Sequence, residues 1–150
     1  MQELVEILTK KNLTIGSVES FTVGNFAAQI GAIPGASKVL VGAMVTYQTK
    51  AKINCLQIDQ KIIEKHGVVS EEIATLMASH GKKIIGSNIC VSFTGNAGPS
   101  VMEGKPVGLV YISIKYLNYQ ITYSLQLQGN RQEIIQQAIN DVKVKLLEIL

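Results

Sequence analysis

With 150 residues, 47% of them hydrophobic, the chain has the size of a single domain (1–150) and enough apolar content to bury a core. Its formal charge of +3 comes from lysines scattered in pairs, Lys10-Lys11, Lys50/Lys52, Lys82-Lys83 and Lys143/Lys145, not from the concentrated basic stripe of a nucleic-acid binder, so nucleic acid is set aside as a partner. No apolar run approaches the roughly 18 residues of a membrane span, the start MQELVEILTK lacks signal-peptide regions, and Cys55 and Cys90 lie in apolar settings without a CxxC; a cytoplasmic protein with buried free thiols and no metal site is expected.

In chain order, residues 2–12 place Leu4, Val5, Ile7 and Leu8 at helical spacing, with Asn12 suited to a left-handed helix end. LTIGSVE reads as a short strand, and TVGNFAAQIGAI as a helix with Phe26, Ala27 and Ile30 on one face until PGAS breaks the pattern. KVLVGAMVTYQ has apolar residues on both faces, which predicts a central or nearly central strand. TKAKINCLQID has helical spacing with Thr49 as a cap; QKIIEKHG follows as a second helix closed by Gly67. Ser70 caps a clear helix, SEEIATLMASHGKKI, with two acids in its first turn.

SNICVSFTG is a further apolar strand, and NAGPSVMEGKPVG, with three glycines and two prolines, is a loop. LVYISIKYLNYQITYSLQLQG predicts a hairpin turning near Leu117 and Asn118, and residues 131–150 a last helix with Ile134, Ile135, Ala138, Ile139, Val142 and Leu146 inward. Helices interleaved with strands and closed by a hairpin predict an α/β layered domain on a mixed sheet. If the strands ending at Glu19, Tyr47 and Thr94 run parallel, the loops after them share the edge where ligands gather.

Three segments then offer chemistry. In ESFTVG, Ser20 stands beside amides around Thr22 to Asn25 at a helix start, as a cap or as a nucleophile. In VTYQTKAK, Tyr47 ends a buried strand and needs a partner for its hydroxyl. Lys52, five residues on, becomes a base toward a serine if desolvated, or is a plain surface lysine. In TGNAGPSVMEGKPVG, Gly95, Ala97 and Gly98 allow main-chain amides to approach a phosphate or carbonyl, with Lys105 adding a cation; a structural turn is the alternative. His66 and His80, each before a glycine, read as helix-end caps.

SVESFTVG, VTYQTKAK, HGVVSEE, SFTGNAGP, KPVG and GNR, in that order over residues 4–148, resemble the CinA carboxy-terminal domain family, whose stand-alone members are nicotinamide mononucleotide deamidases of the PncC type. The resemblance implies a three-layer α/β/α sandwich, often a homodimer. The reaction it implies is serine-dependent hydrolysis of the nicotinamide carboxamide with release of ammonia, without metal or cofactor. It places Ser20, Tyr47 and Lys52 in catalysis, and Glu19, Thr22, Gly24, Thr94, Gly95, Ala97, Gly98, Lys105 and Arg131 around the pyridine nucleotide. Glu19 is expected to meet the pyridinium, and Arg131 with the loop amides the phosphate.

The departures from the family's AESCTGG, GPDGG and GDR are Phe21, Val23, Asn130 and the stretch GPSVMEG. They are expected to tighten the pocket and to remove a charge orienting Arg131. Their accumulation raises the alternative of a weakened nucleotide-binding or scaffolding protein.

Overall fold

The computed structural model describes Met1–Leu150. A five-stranded sheet carries β1 (Ile15–Glu19), β2 (Leu40–Val45), β3 (Ile89–Gly95), β4 (Leu109–Tyr116) and β5 (Tyr119–Gln126) in the order β2-β1-β3-β4-β5. β1 pairs in parallel with β2 and β3, whereas β4 runs antiparallel to both β3 and β5. The sheet is therefore mixed. Because β1, β2 and β3 point the same way, their carboxyl ends meet, as the interleaved pattern requires.

Helices cover both faces and give the three-layer sandwich. On one side α1 (Gln2–Lys10), α2 (Asn25–Gly31) and α6 (Arg131–Ile149) bury Leu4, Leu8, Phe26, Ile30, Ile139 and Val142 against Val91, Phe93 and Ile112 of the sheet. On the other, α3 (Thr49–Leu56), α4 (Gln60–His66) and α5 (Glu71–Ile85) pack Leu56, Ile63, Ile73 and Met77 with Val18 and Cys90. α5 lies close to the strands because Gly81 presents no side chain to Val18, which a Cβ there would overlap. β3 is buried along its whole length, its apolar face toward α6 and its Ser92 and Thr94 toward α5; Ser92 Oγ donates to the Ala74 carbonyl at 2.6 Å. Both polar side chains are satisfied locally, so the strand holds a central place without an orphaned donor.

Local signals account for the helix ends. Ser70 Oγ accepts from the Ile73 amide, and Asn130 forms a capping box with Glu133 at the start of α6. Gly67 follows α4, and Asn12 takes a left-handed φ of 52° just beyond α1. The hairpin turns at Leu117 and Asn118 as read.

Three expectations are corrected. β2 is an edge strand: Val41 and Val45 are about half exposed, because α2 and α5 cover it only in part. Its run of apolar residues, which resembles a doubly covered strand, instead faces water along an open side. Cys90 is buried as expected, but Cys55 is exposed on the outer side of α3. Gln48, not Thr49, occupies the N-cap of α3 and offers no side-chain bond.

Candidate functional site

A pocket of about 450 Å³ opens at the shared carboxyl ends of β1, β2 and β3. Ser20 comes directly after β1 and its amide donates to the Phe93 carbonyl at 3.0 Å, which anchors it to the neighbouring strand. Lys52 enters from α3. Its side chain is 1% exposed, and its Nζ lies 3.0 Å from Ser20 Oγ, 2.7 Å from the Thr46 carbonyl and 3.4 Å from the Tyr47 carbonyl. No carboxylate is bonded to it. Burial lowers its pKa from 10.5 to about 8, with the charge of Glu103 partly opposing the shift.

The arrangement has a definite proton logic. A neutral lysine has two N–H groups and one lone pair. As the ammonium, Lys52 donates to Ser20 Oγ and to both carbonyls; as the neutral amine it keeps its two N–H groups on the carbonyls and turns its lone pair to the Ser20 hydroxyl. Ser20 is therefore a serine beside a base, the pairing that nucleophilic catalysis needs.

The turn after β1 differs from the expected helix start. α2 begins only at Asn25, with Gly24 as its N-cap at a φ of 84°, so Ser20 is not a cap. Val23 and Asn25 amides close turns onto Ser20 and Thr22 carbonyls. Glu19, fully buried, accepts from Ser17 Oγ at 2.9 Å, the Phe26 amide at 3.2 Å and the Ala27 amide at 3.0 Å. Its carboxylate thus satisfies the first amides of α2 and does not line the pocket, which removes it from the expected pyridinium contact. What the site does offer is the amides of Phe21, Ala97 and Gly98, three pocket-lining residues whose N–H groups bond no acceptor in the chain.

Arg131, the first residue of α6, reaches the pocket from the far side. Its guanidinium donates to the Gly98 carbonyl at 2.8 Å and to the Tyr47 hydroxyl at 2.9 Å. Tyr47 lies past the end of β2 and is 52% exposed, not buried as expected. Its main-chain carbonyl serves Lys52 while its phenol meets Arg131, so one residue links the reacting pair to the rim. Asn130 does not orient Arg131 by charge; it caps α6, and the helix start itself aims the guanidinium.

Of the sequence-predicted set, Ser20, Tyr47, Gly95, Ala97, Gly98 and Arg131 line the pocket and Lys52 sits directly behind Ser20. Thr22, Gly24, Thr94 and Lys105 do not line it. Thr22 is buried with its hydroxyl unpartnered, and Thr94 donates to the Val68 carbonyl at 2.6 Å. Lys105 is taken up by Glu103 at 3.1 Å and by the Val69 carbonyl. Val23, 48% exposed, does not line the pocket and so does not tighten it, whereas Phe21 does line it and packs edge-on against Phe93. His66 pairs with Glu72 at 3.1 Å, and His80 Nδ1 meets the Leu56 carbonyl at 2.7 Å; neither touches the pocket.

Gln48, Thr49, Lys50, Asn96, Ser100 and Met102 line the pocket without having been singled out. Lys50 had a legible signal, standing two residues before Lys52 and so on another side of the same helix. Asn96 had one too, as the single amide side chain in a glycine-rich loop.

A helix-covered mixed sheet with a buried serine–lysine pair at its carboxyl edge defines the class. The sequence profile of the CinA C-terminal domain matches residues 1–150, and the chain belongs to that family. It is 44% identical over 128 residues to a putative competence-damage inducible protein of Lysinibacillus sphaericus, covering 85% of this chain and 30% of that protein. A protein of the same description from Listeria welshimeri is 35% identical over 147 residues, 95% of this chain and 35% of its own length. The chain thus spans about a third of these relatives.

Among solved structures, a competence-damaged protein (CinA) superfamily protein from Escherichia coli superposes with a TM-score of 0.95 at 25% identity, over 99% of this chain and 87% of the other. The competence/damage inducible protein CihA of Agrobacterium tumefaciens gives 0.88 at 28% identity, over 97% and 94%. No helix is long and apolar enough to cross a membrane.

Proposed function

We infer that the chain is an amidohydrolase that converts the carboxamide of nicotinamide mononucleotide to a carboxylate and releases ammonia. The observation that carries this reading is the 3.0 Å contact between Ser20 Oγ and a lysine nitrogen whose pKa burial has brought to about 8. Neutral Lys52 takes the Ser20 proton as Oγ attacks the carboxamide carbon. The free amides of Phe21, Ala97 and Gly98 are the donors available to the oxyanion, each such donor being worth about 3 to 4 kcal/mol of barrier. Lys52 then passes its proton to the leaving nitrogen, which departs as ammonia as the C–N bond breaks; it next accepts a proton from the water that attacks the ester and returns it to Ser20 Oγ as the ester C–O bond breaks and the carboxylate product is released. Chain, substrate and one water balance these steps.

The rest of the pocket suits the rest of that molecule. Arg131 and Lys50 are the only charged residues that line it, so a phosphate finds cations and no opposing carboxylate. Phe21 and Tyr47 are its aromatic residues, and the half-exposed ring of Tyr47 is the one open to take the pyridinium role that Glu19 does not fill. Tyr47 on this reading positions substrate and orients Lys52 through its carbonyl, leaving the proton transfers to Lys52. A single-domain, cytoplasmic homodimer belongs to the same reading, its pairing checked by light scattering.

The test is ammonia release from nicotinamide mononucleotide by the purified chain and by Ser20→Ala. Turnover that disappears in the variant supports the assignment. Binding of the nucleotide by calorimetry with no ammonia from the intact chain would replace it with a ligand-binding role.

A further inference from the structure

The loop between β3 and β4 forms one wall of the pocket through Asn96, Ser100 and Met102, and the turn ahead of α5 adds Val68. No strand pairing joins these two segments; beyond the bond from Thr94 to the Val68 carbonyl, they meet through two side chains of the loop, Glu103 and Lys105. Glu103 Oε1 accepts from the Val68 amide at 2.6 Å, and Oε2 from the Val69 amide at 3.2 Å and from Lys105 Nζ at 3.1 Å. Lys105 Nζ also donates to the Val69 carbonyl, so carboxylate and ammonium grip both polar groups of the same short stretch.

The rest of the loop is built to carry that grip to the pocket. Asn96, buried, donates from Nδ2 to the carbonyls of Met102 and Lys105, both at 3.1 Å, and accepts from the Met102 amide at 3.2 Å. These bonds close residues 96–105 on themselves, so a restraint at Glu103 is felt at Met102 and Asn96. Gly67 completes the fit: it holds a φ of +77°, and a Cβ there would overlap the Glu103 carboxylate. A carboxylate accepting two successive buried amides is held by charge-assisted bonds, stronger than neutral ones and fixed in direction.

We propose that Glu103 is a positioning residue that clamps the loop of residues 96–105 to the Val68–Val69 turn and so fixes the substrate-facing wall of the pocket, without taking part in the chemistry at Ser20. The role in substrate binding rests on the functional reading above; the clamp itself does not. Glu103 does not line the pocket and bonds neither Ser20 nor Lys52; it reaches that pair only through its charge, which opposes the lowering of the Lys52 pKa.

The decisive variant is Glu103→Gln, which keeps the shape but accepts on one oxygen only and turns an amide NH₂ toward the other valine N–H or toward Lys105. Its expected signature is a KM for nicotinamide mononucleotide raised about ten-fold with kcat within about three-fold of the parent. Amide exchange by NMR should be faster by about ten-fold at Val68 and Val69, with the amides of β3 and α6 unchanged. Gly67→Ala, which displaces the same carboxylate from the other side, should reproduce the pattern, and the two changes combined should cost less than their sum.

An unaltered KM in Glu103→Gln, or a loss of melting temperature alone with the kinetics of the folded protein intact, overturns the positioning role. Unchanged exchange at Val68 and Val69 overturns the clamp whether or not the nucleotide is turned over. Absence of ammonia from the parent chain overturns the functional reading alone.

Discussion

Two lysines that look alike in the sequence occupy opposite electrostatic situations. Lys52, on the first turns of α3, is buried among oxygens that carry no formal charge: one hydroxyl and two carbonyls. Lys105, in the loop after β3, is partly exposed and meets a carboxylate. The first is desolvated without a counter-ion, so its proton is loosely held and it becomes a base; the second is a paired cation that braces a loop. Reactivity here follows from which oxygen faces the nitrogen, more than from residue type or from proximity to a glycine-rich segment.

Replacement of the two lysines should separate these roles most widely. Lys52→Met is expected to lower kcat by about a thousand-fold or more, because it removes the only base bonded to Ser20, with ammonia release as the measurement. Equal losses in Lys52→Met and Lys105→Met would erase the distinction.

Acidity sharpens it next. The neutral lysine is the active form, so kcat/KM should climb with pH up to about 8, where Lys52 titrates, and level off above. Stability moves in the same direction for a linked reason. With a folded pKa of about 8 and an unfolded value near 10.5, the native state binds fewer protons than the unfolded state across that window. The penalty of burying the charge is fully present below pH 8 and is relieved as the pH rises toward 10.5. Full relief amounts to about 3 kcal/mol at 1.36 kcal/mol per pKa unit, from which the loss of the Thr46 bond subtracts. Lys52→Met should therefore be more stable than the parent at pH 7 by about 1 kcal/mol, the margin shrinking toward pH 10 in denaturant titrations.

Lys105→Met has a smaller effect. It loosens one of the stitches to Val69 and should raise KM about two- to five-fold with kcat nearly unchanged, measured under the same conditions. Smallest of all, Val23→Gly should leave the kinetics untouched and stabilise the chain by up to about 1 kcal/mol in the same titrations. Val23 is β-branched at a φ of 51°, a left-handed conformation that glycine adopts without strain, and it is half exposed and not part of the pocket lining.

Much of this was legible residue by residue. The capped start at Ser70, the hairpin at Leu117 and Asn118 and the run of α6 are written in local patterns, because helix caps, turns and amphipathic spacing act over a few residues. Ser20 and Lys52 could be named as a candidate pair for the same reason, each standing just past a strand. Two readings failed because local pattern was asked to report a long-range fact. The apolar residues of β2 suggested a central strand, but whether a neighbour exists on its far side depends on chain order in the sheet. The carboxylate of Glu19 suggested a ligand contact, but an acid beside a nucleophile serves equally well to satisfy the amides of the helix that follows, and the direction of one side chain decides between them.

The sequence by itself determined most of the secondary elements, the layered α/β class with its mixed sheet and the short motifs from which a site is assembled, since each rests on local pattern along the chain. Only the tertiary structure decided which cation is a base and which a brace, that Tyr47 reaches Lys52 through its carbonyl and Arg131 through its phenol, and that Glu103 holds the wall of the pocket. Those outcomes depend on burial and on contacts such as Ser20 with Lys52, Glu103 with Val68 and Tyr47 with Arg131, which folding brings together from 32, 35 and 84 residues apart. The free energy of a charge is set by what surrounds it in space.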